Sequence, residues 1–518
     1  MKKLPIGIST LSQIIKGNYV YIDKTREALE LIENYKYAFL ARPRRFGKSL
    51  FLDTLAEIFS GNKKLFNGLY IHNKYAFDTY PVIKISFSGD LRSPEGLRNM
   101  IYAALRENRK HLGVECDDAT NFAVCFKELI QNVFDAYQQG VVILIDEYDK
   151  AILDNLDQLN IALENREIVK SFYSVMKDCD QYIRFVFLTG VSKFTKTSIF
   201  SGLNNLIDIS IKPRFAQICG YSATDLRQNF SELLHNADGD KIREWYNGYN
   251  FMGEKVFNPY DILLFIDNDC QFKNYWFETG TPSYLIKLIK EKRYYIPNLE
   301  HLEADSSLIN SFDIENISLE SILFQSGYLT ITDVRHRRDR YLYTLTYPNK
   351  EVRLSFTDNL LNHFVDKTQK NSILDELYTI FSEEHLEELE VNLKQLFASI
   401  AYNNFTNNNI DHYEGFYASV IYAYLASLGF QIIAEDVTNR GRMDLTLLTK
   451  DTAYIFEFKV QDEDPLQQIK TMRYYEKYAT YRTWLVGIVF DVASRNITKF
   501  VYEKVKAGDR HVPNKPQS

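Results

Sequence analysis

Tyr37-Ala-Phe-Leu-Ala-Arg42-Pro-Arg-Arg-Phe-Gly47-Lys48-Ser49-Leu50 runs from a short apolar segment into a glycine, a lysine and a hydroxyl, and a helical pattern follows. A phosphate cradle needs backbone N–H groups that wrap the anion, a flexible cation that reaches its outer oxygens, and a hydroxyl that holds Mg²⁺. Gly47, Lys48 and Ser49 supply these parts, so the stretch reads as a P-loop. One part differs, because Arg42 stands where the usual pattern has its first glycine.

A second stretch strengthens the reading. In Val141-Val-Ile-Leu-Ile-Asp146-Glu147-Tyr148-Asp149, five consecutive aliphatic residues lead into carboxylates. The run is too short for a helix and suits a strand covered on both faces, which is what a parallel sheet requires. Ligands of open α/β sheets bind at the carboxyl ends of such strands. Asp146 is therefore the expected holder of Mg²⁺ and Glu147 the residue that orients or activates a water. Ile183-Arg-Phe-Val-Phe-Leu-Thr189-Gly190 is a further strand ending in a small polar residue, and Thr189 is placed to sense a terminal phosphate. Arg45, Phe46, Gly47, Lys48, Ser49, Leu50, Asp146 and Thr189 form the candidate nucleotide site, with Ser49 and Asp146 as its metal ligands.

The 518 residues exceed what one hydrophobic core usually supports, so two or three domains are expected. With 61 basic and 68 acidic residues the net charge is −7, and no global field advertises nucleic acid or an anionic membrane. Binding to DNA has to be local. Five scattered cysteines (Cys116, Cys125, Cys179, Cys219, Cys270) lack C-x-x-C spacing, which argues against a disulfide framework or a zinc site and for a reducing, cytoplasmic setting. Pro5, Gly7, Ser9 and Thr10 interrupt any secretory signal, and no run approaches the roughly 20 apolar residues that span a bilayer.

Strands alternate with helices to about residue 215, predicting a parallel sheet; helices are expected near 93–112, 121–138 and 165–178. The alternation then stops. Residues 216–400 read as a mainly helical lid or connector with a few strands, interrupted by the tight turns of Trp245-Tyr-Asn-Gly-Tyr249 and Phe257-Asn-Pro-Tyr260. The polar run Asn403–Asn409 suits a boundary, 401–505 a further α/β domain, and 506–518 a frayed tail.

That C-terminal domain holds a second constellation. Glu414 begins a helix whose Tyr417, Ile421 and Tyr424 follow at three- and four-residue steps. Arg442–Leu448 and Tyr454–Val460 read as strands; alternation places Glu457 and Lys459 on one face, and Asp444 lies 13 residues before Glu457, within reach through a hairpin. Two carboxylates on Mg²⁺ with a lysine beside them can activate water and stabilise a pentavalent phosphate. Exposed Glu-x-Lys pairs are common, but charges inside Ile-Phe-Glu-Phe-Lys-Val on a mostly buried strand need a reason.

With these residues in view, residues ~4 to 280 resemble the AAA-ATPase-like family of bacterial proteins, whose P-loop is similarly written Arg-Pro-Arg-Arg-Phe-Gly-Lys-Ser. The chain shares with it Asp23-Lys-Thr25, Leu188-Thr-Gly-Val-Ser-Lys-Phe194, Ser198-Ile-Phe-Ser-Gly-Leu-Asn-Asn205 and Trp245-Tyr-Asn-Gly-Tyr249. Residues ~400 to 505 resemble the PD-(D/E)xK nuclease superfamily, with Met443 in place of the proline of its first motif and Gln468 as a further, weaker match. The resemblance implies a P-loop NTPase sheet followed by a restriction-endonuclease-like domain. It also implies ATP at Lys48, Ser49 and Asp146, and a nuclease core of Glu414, Asp444, Glu457 and Lys459, with Asp444 and Glu457 on Mg²⁺. The leading expectation is an ATP-dependent switch coupled to a phosphodiester-cleaving module acting on DNA or RNA. A signalling or scaffolding ATPase whose C-terminal module binds without cutting is the alternative, since residues 401–518 hold 14 basic and 14 acidic side chains and no strong phosphate-binding field. Arg42 leaves hydrolysis of the bound nucleotide open, and an oligomer is compatible with the sequence.

Overall fold

A computed structural model describes residues 2–518 other than 119, 195–198, 201–202, 204, 277–284, 286–287, 290–293, 307–308, 310–313, 316, 365–366, 401–412, 439, 461–463, 492 and 507–518, and other than the side chains of 363–374 and 413–414. The Asn403–Asn409 run, the tail and much of the Ser198–Asn205 motif therefore lie outside the described residues. The chain forms two compact units, Met1–Glu278 with Glu303–Asn349 and Thr279–Leu302 with Lys350–Ser518. The 216–400 segment is shared between them and contributes strands as well as helices. No helix among the described residues is long and apolar enough to cross a membrane.

The first unit is built on a five-stranded sheet, β1 (Tyr37–Ala41), β2 (Val82–Ser86), β3 (Val141–Asp146), β4 (Ile183–Gly190) and β5 (Ile207–Asp208), in the order β2-β3-β4-β1-β5. All four neighbouring pairs in it are parallel. All six residues of β3 are buried, as its aliphatic run demands. Parallel neighbours require crossovers, and the helices Lys48–Phe59, Pro94–Leu112, Phe122–Tyr137 and Leu159–Asp178 supply them. The last begins six residues earlier than periodicity predicts, taking in the turn Leu159-Asn-Ile-Ala-Leu-Glu164.

Beyond β5 the unit adds the hairpin β6 (Asn247–Tyr249) and β7 (Val256–Phe257), then a three-stranded sheet of β8 (Leu302–Asp305), β9 (Thr330–Arg337) and β10 (Arg340–Thr346) in the order β8-β10-β9. The shared Asp-Lys-Thr motif is a staple: Asp23 accepts from Thr25 N at 2.9 Å and Tyr70 N at 2.7 Å, while Lys24 pairs with Asp225 at 2.9 Å.

The second unit is a mixed sheet, β11 (Gln431–Val437), β12 (Arg442–Leu448), β13 (Thr452–Val460), β14 (Arg482–Asp491) and β15 (Asn496–Lys504), in sequence order. Only β13 and β14 among these pair in parallel, and the helix Pro465–Met472 makes their crossover. The helix Tyr413–Ala426 is buried from Tyr417 onward, and Tyr417 stacks on Phe490 with ring centroids 4.3 Å apart. Met443, at the family's proline position, is fully buried among Ile455, Ile469 and Tyr474, so it serves there as core filler.

One expectation fails. Cys116 and Cys125 are joined by a disulfide across nine residues of sequence. The loop after Leu112 turns back along the helix Phe122–Tyr137 and brings Cys116 to the buried Cys125, a tertiary event that chain spacing does not announce. The bond also removes cysteine spacing as an argument for a reducing compartment.

Candidate functional site

Register brings Asp146, Thr189 and the start of the loop to the carboxyl ends of the central strands of the first sheet. Leu40 of β1 lies beside Thr189 of β4, and Ser86 of β2 beside Asp146 of β3. Thr189 Oγ1 sits 3.5 Å from Asp146 Oδ1 in the same row. The chain then leaves β1 through Arg42–Phe46 and enters the helix Lys48–Phe59 at Gly47, whose φ of 87° and open surroundings suit a glycine at the mouth of a cradle. The first bond into that helix is Phe51 N to Gly47 O at 3.0 Å. The N–H groups of Lys48, Ser49 and Leu50 therefore face the loop without helical acceptors, the arrangement that receives a phosphate.

Lys48 is folded onto its own loop, donating to Arg42 O at 3.0 Å and Pro43 O at 2.9 Å. Burial pulls its pKa below the ordinary lysine value, and the Asp146 carboxylate works against that shift. Arg42 explains the missing glycine. Its guanidinium turns out of the loop and is 1% exposed, donating to Ser210 O at 2.5 Å and Phe215 O at 3.0 Å and lying 3.7 Å from the centre of the Phe251 ring. Burial lowers its pKa to about 10. The position is an anchor for the back of the loop, and its side chain leaves the cradle clear.

The other loop residues divide. Phe46 contributes only backbone to the cradle, since its ring packs on Tyr249 (4.8 Å) and Phe251 (5.7 Å). Arg45 stacks over Tyr260 at 3.8 Å, and its Nη1 is buried without a hydrogen-bond partner. Leu50 lines a small cleft of about 60 Å³ beside Gly47, with Tyr21, Ile22, Tyr221 and Pro259 among its other walls.

The acidic turn after β3 is wired to the end of β4. Asp149, buried and with its pKa pushed up by that burial, accepts from Val191 N (2.9 Å), Ser192 N (2.6 Å) and Ser192 Oγ (2.7 Å). Gly190 makes room for this, because a Cβ there would stand 2.5 Å from Asp149 Oδ1 and from the Tyr148 ring. Glu147 holds a φ of 54°, donates its N–H to Asp146 Oδ1 at 3.0 Å, and leaves its carboxylate 44% exposed with Lys150 3.4 Å away. Asp149 was not among the sequence candidates. The third acid of Asp-Glu-Tyr-Asp was its only signal.

In the second unit Glu457 (0% exposed) and Lys459 (15%) lie side by side, Nζ to Oε1 3.0 Å. Asp444 Oδ2 accepts from Phe458 N at 2.7 Å, which ties it to the same strand end. Burial raises the Asp444 pKa, Lys459 opposes the shift and Glu435 reinforces it. Glu435 was missed. The β11–β12 register pairs Ala434 with Leu445 and Asp436 with Met443, which sets Glu435 opposite Asp444, and Glu435 is also ion-paired with Arg442. Counting back across the Thr438–Gly441 turn is the signal that finds it. Tyr295 was missed as well; burial and the neighbouring Glu435 and Asp444 carboxylates hold its phenol far above the ordinary range.

Glu414 lies in the first turn of the helix Tyr413–Ala426, and its side chain is outside the described residues. Gln468 stands on the crossover helix Pro465–Met472. Among the described residues no group of three or more His, Cys, Asp or Glu side chains converges to hold a metal. Two carboxylates such as Asp444 and Glu457 would suit a hard cation that keeps several waters.

Comparison with known proteins agrees with this division. Residues 5–200 match the family described as "Predicted AAA-ATPase", and residues 412–500 match the PD-(D/E)XK nuclease superfamily. The chain is 44% identical over 516 residues to an "Uncharacterized protein in vnfD 5'region" of Azotobacter chroococcum mcd 1, covering 97% of this chain and 99% of that one.

If Arg42 anchors the loop, Arg42→Gly, which recreates the usual glycine, should not improve nucleotide binding. Freeing the Ser210 and Phe215 carbonyls should instead cost about 1–3 kcal/mol. Urea-unfolding midpoints measured beside ATP titrations check this; tighter ATP binding at unchanged stability would contradict the anchoring role.

Proposed function

The chain belongs to the AAA-ATPase-like family and carries a C-terminal domain of the PD-(D/E)XK nuclease superfamily, and on that basis we propose that it is an ATP-hydrolysing switch that governs a metal-dependent phosphodiesterase module. The observation that carries the ATPase half is the row of Asp146 and Thr189 beside the Lys48 cradle. ATP with Mg²⁺ would supply the phosphoanhydride to be cleaved. In this reading Lys48 exchanges its two loop carbonyls for outer phosphate oxygens, Ser49 and Asp146 hold the cation, and Thr189 senses the terminal phosphate. Glu147, already exposed at the strand end, orients the water. The cleft between Tyr21, Tyr221 and Gly47 takes the base.

The buried Glu457–Lys459 pair beside Asp444 favours cleavage over binding alone, because an ion pair placed on an almost fully buried strand costs stability that a structural role could meet more cheaply with apolar residues. A divalent cation would supply a polarised water there. Asp444 and Glu457 hold the cation, and Lys459 stabilises charge developing on the phosphate.

Lys48→Ala should weaken ATP binding by about 1.5–3 kcal/mol through loss of a charge-assisted phosphate contact, with the fold intact. Glu147→Gln should keep ATP bound and stop its turnover. Equilibrium nucleotide titration and phosphate release measure the two; full affinity in the first or full turnover in the second would remove that residue from its role.

The C-terminal pair should fail in different ways. Asp444→Asn should lose Mg²⁺ or Mn²⁺ affinity, because a neutral amide cannot offset the cation's charge. Lys459→Ala should keep the metal and lose cleavage. Calorimetric metal titration beside a nuclease assay on mixed DNA and RNA, with and without ATP, tests both. A wild-type protein that takes up no divalent ion in the presence of nucleic acid would leave the binding-module alternative.

A further inference from the structure

The hairpin formed by β9 and β10 carries a charge pattern that neither candidate site uses. Its base is buried, with Ile331, Tyr343 and Leu345 in the core, but from Asp333 to Tyr341 nearly every side chain is exposed. At about 3.4 Å per residue the exposed arm is roughly 20 Å long. Arg335, Arg337, Arg338 and Arg340 stand on it against Asp333 and Asp339. Asp333 neutralises Arg335 at 2.9 Å, and among the described residues no ion pair joins Arg337, Arg338 or Arg340.

Register sorts these residues by face. Arg340 pairs directly with Arg337 and Leu342 with Arg335, whereas Tyr341 pairs with His336. Directly opposed residues share a face, so one side of the arm presents the arginines and the other an aromatic pair, with the His336 and Tyr341 rings 4.9 Å apart and Tyr341 53% exposed. Opposed like charges destabilise a hairpin. A charged edge that only discourages aggregation needs no such pairing. The turn adds a second cost, because Arg338 and Asp339 both hold left-handed backbone, at φ 47° and 62°. Guanidinium groups on one face and a stackable ring on the other are the two parts of single-strand recognition: phosphates track the cations and a base stacks on the ring.

We propose that the Arg335–Tyr341 arm binds the phosphodiester backbone and bases of single-stranded nucleic acid. The arm belongs to the first unit, and it answers the requirement that nucleic-acid binding by a chain of net charge −7 be local. It extends the reading of the C-terminal module as a phosphodiesterase, but its test needs no cleavage.

The full chain is titrated in EDTA against fluorescein-labelled single strands of about 16 nucleotides, one DNA and one RNA, and against a duplex of equal length, at several salt concentrations. Fluorescence anisotropy should rise with a single strand, and the DNA and RNA arms show which is preferred. The triple substitution R337Q/R338Q/R340Q should weaken binding at least tenfold at low salt and lower the slope of log affinity against log salt by about 2. Tyr341→Ala should weaken single-strand binding about five- to hundredfold without changing that slope. Unchanged ATP binding and far-UV dichroism confirm that these surface variants fold.

The proposal is overturned by a wild-type protein that binds neither strand, or by variants with wild-type affinity and slope. It is equally overturned if polyglutamate or phosphatidylserine vesicles bind as tightly as the strands and Tyr341→Ala has no effect, since the arm would then be a general anion patch. Strand binding retained in Asp444→Asn, or in a protein that proves not to cleave, leaves the arm standing while the phosphodiesterase reading falls.

Discussion

Arg42 carries a full charge to a buried place where backbone carbonyls and the Phe251 ring receive it, and the loop's geometry follows from that demand. A guanidinium cannot shed its proton at ordinary pH, so burying it favours a geometry that offers acceptors to its donors. The carbonyls of Ser210 and Phe215 satisfy two of them, which pins the exit of β1 to the chain that follows β5. With the back of the loop held there, Pro43 to Gly47 curve over the helix Lys48–Phe59 and leave its first N–H groups facing outward. A glycine would supply freedom at this point; the arginine supplies fixity.

The same logic operates on the acidic side of the site. Asp149 accepts from two backbone N–H groups and a hydroxyl just beyond β4, which bonds the turn after β3 to the end of β4. Thr189 and Asp146 flank that junction. Tyr148 closes it from the other side, donating to Ser192 O at 2.9 Å and receiving Phe194 N at 3.3 Å. The shared Leu188–Phe194 motif thus has a physical content: small residues where the turn must pass close, and donors where Asp149 and Tyr148 need partners.

What could be read without coordinates was what local periodicity encodes. Val141–Ile145 is β-branched and uniformly apolar, and it is a strand buried on both faces; the Glu457 and Lys459 alternation likewise gave their common face. The order of the strands was not legible, since it depends on which crossover packs where. Glu435 lies on a strand whose burial alternates regularly, and counting back from Asp444 across the turn reaches it. Tyr295 reaches the C-terminal site from a segment far upstream in sequence, and Arg42 looked like a defect because its partners lie beyond β5. For Tyr295 and Arg42 the missing information was a long-range contact, and no window along the chain contains one.

Gly248 has no room for a Cβ, because the carbonyl oxygen of Pro348 would lie 1.7 Å from it. One residue on, Tyr249 packs edge-on against Phe46 of the P-loop, and Asn250 N bonds Thr330 Oγ1 at the base of the arginine-bearing hairpin at 2.8 Å. Pro348 is the penultimate residue before the chain leaves the first unit at Asn349. Three consecutive residues therefore touch the nucleotide loop, the foot of the basic arm and the outgoing peptide. A side chain longer than hydrogen at position 248 would therefore push Pro348 away and disturb, through its two neighbours, both the ring that packs on Phe46 and the foot of the arm.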